Sequence, residues 1–398
     1  MNKYLIGIIW LLSSLLVNGQ EMTVAERNAA QGFNDTIDRL DPDFVKVSLC
    51  YAEPTESNND LFGIIGHCFL RLQCSSFGLD YCFSYESEVV NAQLDKFLVG
   101  ALEMGMFAIP TDEYLEDYHV WHRAVHEYRL NLPPDSEQRL WEMLDKEVLK
   151  GPHQKFDLVK HGCGISIVHF IEKAIVPTHI DYTYWPSHFE KSRREILRMH
   201  LTCYPWERLV IFTLFGRTYD EECPKKEKLI CPDDIIDTWS HATVDGQPLL
   251  TYVGDIVDYP SVTHKEPFSP MICMWLIVLL TIVFIIINWN EWNYILTGAQ
   301  CVLGLLLLFL YYVSSVADSP NLWQLVLYNP LPLLLWHWRR YWQIPYACIL
   351  LIWIIVSMVM PFSMVENEHL VFALAVALYM TKDWLRDTYK YITSHKSK

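Results

Sequence analysis

The sequence predicts an α+β domain followed by an all-α transmembrane bundle of about five helices. Three observations carry this. First, hydrophobic residues make up 52% of the 398, yet they are unevenly placed. Residues 21–270 read as an ordinary charged domain, whereas residues 271–385 are mostly apolar. Second, strand-like and helix-like periods both occur in the first part. Third, the chain opens on an export signal. Lys3 forms a short basic region, Leu5–Val17 an apolar run, and Val17-Asn18-Gly19 a small-residue cleavage site. The competing reading of residues 1–19 is an uncleaved anchor, and either way the following domain lies outside the cytoplasm.

Composition narrows the function classes. With 47 acidic against 31 basic residues the net charge is −16, which disfavours a nucleic-acid partner. So many apolar residues exclude a disordered chain. The 15 Trp, 22 Tyr and 18 Phe suit membrane interfaces.

Along the chain, residues 20–175 are expected to form the exported catalytic domain. Val45–Ala52 is a strand candidate. Ile64–Gln73 and Leu79–Glu86 form a hairpin about a turn at Ser75–Gly78. Asp112–His126 is expected as a helix carrying His119, His122 and His126, and Leu130–Leu132 as a short extended piece. Asp135–Leu149 is a helix with a stripe of Leu140, Met143, Leu144 and Val148. Gly162 precedes a helix over Gly164–Ile175, with Ile165, Val168 and Ile171 on one side. Residues 176–270, rich in Pro and aromatics, are expected as an extension of irregular structure and short helices ending in a linker.

Apolar runs near 271–287, 294–316, 322–338, 344–363 and 369–385 each approach the roughly 17–25 residues of a spanning helix. The third holds Pro330 and Pro332 and is expected to kink or re-enter. Arg339, Arg340, Lys382, Arg386 and the tail lysines fall on one side. Asp318, Glu366 and Glu368 fall on the other, which places the tail in the cytoplasm. No span carries a charge near its middle, so the bundle reads as an anchor or lipid-facing platform, not a pump. His337 and Gln300 read as structural.

The chemistry centres on Cys163 and His67. A thiol that opens a helix has its anion stabilised by the helix N-terminus, and free first-turn N–H groups can bind an oxyanion. An imidazole alongside completes a Cys/His acyl-transfer site; the competing reading is a cysteine that merely packs. Across the hairpin, residues 80, 82, 84 and 86 share one face, so either Ser84 or Glu86 orients His67 or, on the competing reading, neither touches it, while Asp80, nearer the turn, reads as structural. The histidines 119, 122 and 126 lack the Glu of a zinc-protease motif and read as a polar helix face. Arg123 and Glu127 read as a structural ion pair. His161 and His169, either side of Cys163, read as core or surface groups. The eleven cysteines show no zinc spacing. Cys223 and Cys231 are candidates for a local disulfide or for two free thiols. No cofactor or metal site is read.

Several segments resemble a family of exported domains long of unassigned function. They are Leu61-Phe62-Gly63 with Gly66-His67 and Leu70-Arg71-Leu72, then Asp80-Tyr81 and Tyr85, then Phe97-Leu98 and Gly100. Arg123-Ala124-Val125 with Glu127, Leu130-Asn131-Leu132, Phe156-Asp157 with Cys163, and Ser314–Leu331 follow in order. Members with assigned activity are lipoprotein N-acyltransferases of the Bacteroidetes envelope. The resemblance implies a circularly permuted papain-like core, similar to NlpC-type and lecithin–retinol-acyltransferase-type domains, with the His strand before the Cys helix. It also implies a bacterial inner-membrane location with the domain in the periplasm, and a thiol-dependent transfer from a phospholipid acyl donor to a lipoprotein acceptor. Cys163 would be nucleophile and His67 base, with Ser84, Glu86, Arg71 and Asp80 in support and Asp318 in a loop at the membrane face. The sequence departs from the family pattern at Gly162, Gly164, Ile165, Val168, Ser84 and Glu86, which implies altered substrate preference or reduced activity. Two other readings stand beside it: another Cys/His envelope hydrolase (a phospholipase or a cell-wall amidase), and a catalytically silent binding protein.

Overall fold

The computed structural model describes residues 45–386 apart from 56–62, 88–95, 97–99, 156, 158–159, 215, 262–266, 314–321, 360–364, 383 and 385. The signal segment 1–19 and Asp318 lie outside the described residues.

One seven-stranded antiparallel sheet organises the N-terminal domain. Its strands are β1 (Lys46–Ala52), β2 (His67–Cys74), β3 (Leu79–Ser87), β4 (Glu103–Pro110), β5 (Val125–Leu130), β6 (Gln154–Lys155) and β9 (Leu250–Val257). They run in the order β6-β4-β3-β2-β1-β5-β9. Thr243–Val244 and Gln247–Pro248 (β7 and β8) form a separate small hairpin. The β2–β3 hairpin closes through a 3-10 turn at Ser75–Phe77 and Gly78 in the left-handed region, and pairs Leu70 with Phe83 and Arg71 with Cys82.

Strand alternation sorts the two faces. Leu49, Leu70, Leu72 and Phe83 point into the main core, where α2 (Pro134–Val148) and α3 (Cys163–Ala174) cover the sheet. The expected stripes supply the contact: Leu140, Leu144 and Val148 from α2, and Ile165, Val168 and Ile171 from α3. Burying each such side chain stabilises the fold by about 1.5–3 kcal/mol. On the other face Cys50, Phe69 and Cys82 meet Tyr114 and Tyr118 of α1 (Thr111–Val120).

Two elements differ from expectation. The helix expected over Asp112–His126 ends at Val120, and His126 lies on β5. β5 completes the ladder on the free edge of β1, and the β-branched and aromatic Val125 and Tyr128 fit a pleated surface better than a helix. Residues 176–270 hold more than short helices, because β9 pairs with β5 and ends the sheet. The helices there are α4 (Arg193–His200), α5 (Pro205–Leu214) and α6 (Pro232–Ser240).

The C-terminal region contains α7 (Pro270–Ile286), α8 (Glu291–Val313), a single turn α9 (Leu331–Leu334), α10 (Arg339–Val359) and α11 (Asn367–Met380). Two helices, over Glu291–Val313 and Tyr341–Val359, are long and apolar enough to cross a membrane; α7 and α11 are apolar but shorter. The third expected span is not a helix. It breaks into the turns Leu322–Val326, Leu331–Leu334 and Trp336–Trp338, because Pro330 and Pro332 cannot continue a helical ladder. The freed carbonyls are satisfied within the protein. Gln300 and Tyr346 donate to Leu327, and the Cys301 thiol to Asn329. Gly304 admits the segment, since a Cβ there would lie 2.1 Å from the Tyr328 carbonyl oxygen.

The domain docks at one end of this region. Arg198 and Arg208 pair with Glu366 at 2.5 and 3.3 Å, and Arg208 also pairs with Glu368 at 2.8 Å. At the other end of α11, Lys382 bonds Asn290, Arg386 bonds Asn288, and Arg339 packs over Trp336.

Candidate active site

His67 opens β2 directly after Gly66. Gly66 has φ +84°, and a Cβ there would lie 3.0 Å from the Tyr51 ring and 3.1 Å from the Ala52 carbonyl oxygen, so the corner needs glycine. Arg123 ties it down by donating to the carbonyls of Ala52, Glu53 and Gly63. This is the structural role of the Arg123 segment: Glu127 pairs with Arg71 at 3.0 Å, not with Arg123.

The imidazole is oriented from the neighbouring strand. His67 Nε2 lies 2.8 Å from Ser84 Oγ, and the Tyr114 hydroxyl donates to that same oxygen at 2.9 Å. Ser84 is fully buried, so its oxygen has a fixed position.

Cys163 is the first residue of α3. Its N-cap is Gly162 in an extended conformation, and no side chain caps the first turn. α3 packs across β2 and β3, which carries the thiol to the start of β2. There it meets Cys68 and His67. A hydrogen bond from the Cys68 thiol holds Cys163 well below the usual thiol range. The charge and hydrogen bond of His67 and a bond from the Cys68 backbone act in the same direction, against burial. The same bond, with burial, pushes Cys68 well above that range, so Cys68 remains a thiol and donates. For His67, burial pulls the pKa down, but the Cys163 charge and hydrogen bond and the Glu86 charge outweigh it and leave the ring raised. Both shifts run toward a thiolate–imidazolium pair, and Cys163 is only partly buried.

The other expected site residues divide. Ser84 contacts His67 directly and Glu86 acts through its charge. Arg71 and Asp80 form an ion pair at 2.6 Å, extended by Glu127, Gln73 and Thr111, which stitches β2, β3, β5 and α1 together away from the thiol. His126 lies between Asp255 and Glu53, while His119 and His122 pack on Tyr259, so these three histidines do not converge. His169 faces Glu227 on the surface. Cys223 and Cys231 are free thiols. Sequence reasoning missed two contributors. Cys68 was signalled only by its place next to His67, and Tyr114 had no signal, because nothing local places α1 over Ser84.

With Gly162 at the N-cap, no side chain competes for the first-turn N–H groups. At Gly164 a Cβ would lie 3.0 Å from the Ile230 carbonyl oxygen and 3.0 Å from Ile235 Cδ1. Here the backbone leading into α6 presses on α3, and a larger residue would have to displace it.

Residues 33–190, which include His67 and Cys163, match the family model of the Lnb N-terminal periplasmic domain. Residues 262–398 match that of the Lnb transmembrane domain. The two matches together span well over half the chain. The chain belongs to the Lnb family. Lnb proteins are lipoprotein N-acyltransferases of Bacteroidetes, so this chain pairs a periplasmic-type domain with a transmembrane domain of the inner membrane. No curated protein and no solved structure matches the chain.

Proposed function

We propose that the chain is a thiol-dependent lipoprotein N-acyltransferase that takes an acyl chain from a phospholipid and gives it to the N-terminal amine of a diacylglyceryl lipoprotein. The observation that carries this reading is the meeting of Cys163, at an uncapped helix start, with His67, in a chain of the Lnb family.

In the first half-reaction Cys163 Sγ attacks the donor's ester carbonyl. The C–O bond breaks, His67 protonates the leaving alkoxide, and a lysophospholipid departs. The first-turn N–H groups of α3 stabilise the oxyanion. In the second half-reaction the lipoprotein amine attacks the thioester carbon. The C–S bond breaks, His67 receives the proton, and the thiolate returns. Amide formation from a thioester is downhill and needs no nucleotide.

In this reading Ser84 and Tyr114 hold the ring, Glu86 supports its positive charge, and Arg71 and Asp80 keep the strands in register. The domain is a permuted papain-like fold in which the His strand precedes the Cys helix. The bundle holds the site at the periplasmic bilayer surface, with the tail in the cytoplasm and Asp318 in a loop at the membrane face. Taking an acyl chain into water instead would cost about 0.8 kcal/mol per CH₂.

The test is to incubate the purified chain with phospholipid alone, quench, and weigh the protein by mass spectrometry. The expected result is one hydroxylamine-labile acyl adduct on Cys163, lost in Cys163→Ser and discharged by a diacylglyceryl lipopeptide with an N-terminal amide formed. Discharge only to water would make it a phospholipase, and no adduct with full function in Cys163→Ser would make it a binding protein.

A further inference from the structure

Away from the thiol, three side chains from three separate elements converge. His188 comes from the 3-10 turn Ser187–Glu190, His200 from the last turn of α4, and Asp234 from the first turn of α6. One ligand-type atom of each lies within 4.8 Å of the others. The Asp234 carboxylate sits between the rings, with Oδ1 2.8 Å from His188 Nε2 and Oδ2 3.0 Å from His200 Nε2. The second nitrogen of His200 lies 3.1 Å from Asp233. Cys231, fully buried at the N-cap of α6, bonds the same ring.

We propose that His188, His200 and Asp234 bind a divalent transition-metal ion, of which zinc is the best fit. Two imidazoles and a carboxylate are a ligand set that zinc accepts. Bonds of about 2.0–2.2 Å in tetrahedral geometry require donor atoms about 3–3.5 Å apart, so rings and carboxylate that already lie within 4.8 Å of one another need only draw together slightly around the ion. Both nitrogens of His200 face carboxylate oxygens, and a divalent cation would take the place of the ring proton on the Asp234 side. Asp233 then takes the outer N–H of His200, the carboxylate–histidine–metal arrangement that fixes a ligand ring.

The location gives the ion a consequence. α4 also carries Arg198, which docks on Glu366 beside α11, while α6 packs against β1 and β9 of the sheet. The 230–235 segment presses on Gly164, next to Cys163. A metal clip between α4 and α6 therefore locks the sheet domain to the element that seats it on the membrane region. His200 and Asp234 both lie between the two family-matched segments.

The test uses the full chain in detergent. After removal of adventitious metal by chelator and dialysis, Zn²⁺ is added, excess is removed, and the retained metal is measured by mass spectrometry. Co²⁺ is loaded in parallel as a visible-absorption reporter. The expected results are about one zinc per chain, a tetrahedral-type cobalt band, and a raised thermal midpoint with metal. Asp234→Asn, nearly isosteric, should weaken zinc binding at least tenfold, and Asp233→Asn about 10–100-fold. A folded wild-type chain that retains no zinc and shows no cobalt band would overturn the site and leave a hydrogen-bonded His/Asp cluster. Zinc held equally by wild type, Asp234→Asn and His188→Gln would overturn the ligand assignment. Neither readout depends on acyl transfer, so the proposal stands or falls separately from the proposed function.

Discussion

In the sheet domain Leu49, Leu70 and Phe83 are completely shielded, whereas in the C-terminal region Leu305, Ile352 and Val359 stand 50%, 60% and 78% exposed. Polar residues are buried in both regions. Gln300, Gln324 and His369 are buried in the membrane region, where His369 bonds Thr213 and Tyr328. In the sheet domain Ser84, Arg123 and Glu127 are buried as well, each with a polar partner. The same chemistry rules operate in both places, but the solvent differs. Water drives apolar groups inward. Lipid leaves them where they are and drives unsatisfied polar groups inward.

The largest expected effect strikes the sheet domain alone. His67→Gln removes the base and the imidazolium, so acyl transfer should fall about 10²–10⁴-fold with the fold intact by circular dichroism. The pH profile sharpens this. Cys163 is depressed, so its thiolate persists until pH falls through that lowered pKa. His67 is raised, so its proton persists somewhat above the ordinary value of about 6.5. Wild-type turnover should be bell-shaped, with the acid limb from Cys163 and the basic limb from His67. In His67→Gln the acid limb of Cys163 alkylation should move to higher pH; an unmoved limb would deny the ion pair.

Next come the contacts that join the two regions. Replacing both Arg198 and Arg208 by Ala leaves Glu366 and Glu368 buried without partners, at a cost of about 3–5 kcal/mol. Transfer to a membrane-embedded lipoprotein should fall, while the rate of Cys163 alkylation stays near wild type. Equal loss of both would mean that the docking contact supports the thiol site itself.

A matched pair tests the solvent argument. Ile352→Lys on α10 should cost about 3 kcal/mol of membrane stability, whereas Phe77→Lys, at a similarly exposed turn of the sheet domain, should change stability by less than about 0.5 kcal/mol. Chaotrope titration in bilayers measures both, and similar costs would break the comparison. Gly66→Ala is a purely local test at the start of the His67 strand. It forces a Cβ against the Tyr51 ring and the Ala52 carbonyl at positive φ, for about 1–3 kcal/mol of domain stability. Unfolding monitored by tryptophan fluorescence checks this.

Local pattern made much of the structure legible. The hairpin, the stripes of α2 and α3, and the helix start at Cys163 follow from alternation, helical spacing and a glycine before the thiol. Counting across the hairpin put Ser84 and Glu86 near His67 but left open whether either touches it, and the structure chose Ser84. Where prediction failed, distant partners decided. The Asp112–His126 segment holds enough polar helix formers to suggest one helix, but β1 needed a partner strand and took Val125–Leu130. β9 was invisible because its pairing partner lies more than 100 residues earlier in the chain. Pro330 and Pro332 marked the third apolar run as irregular, yet its course depended on Gln300, Tyr346 and Gly304, which only close packing selects.

The sequence by itself determined the polar-to-apolar division, the thiol at a helix start and the histidine at a strand start, because each is written in neighbouring residues. Tertiary structure decided which groups share a point in space. It brought Cys68 and Tyr114 to the thiol and the ring, sent Glu127 to Arg71, and gathered His188, His200 and Asp234 from three elements. Side-chain chemistry depends on separations of a few ångströms, and such separations between distant residues are set by packing, not by spacing along the chain.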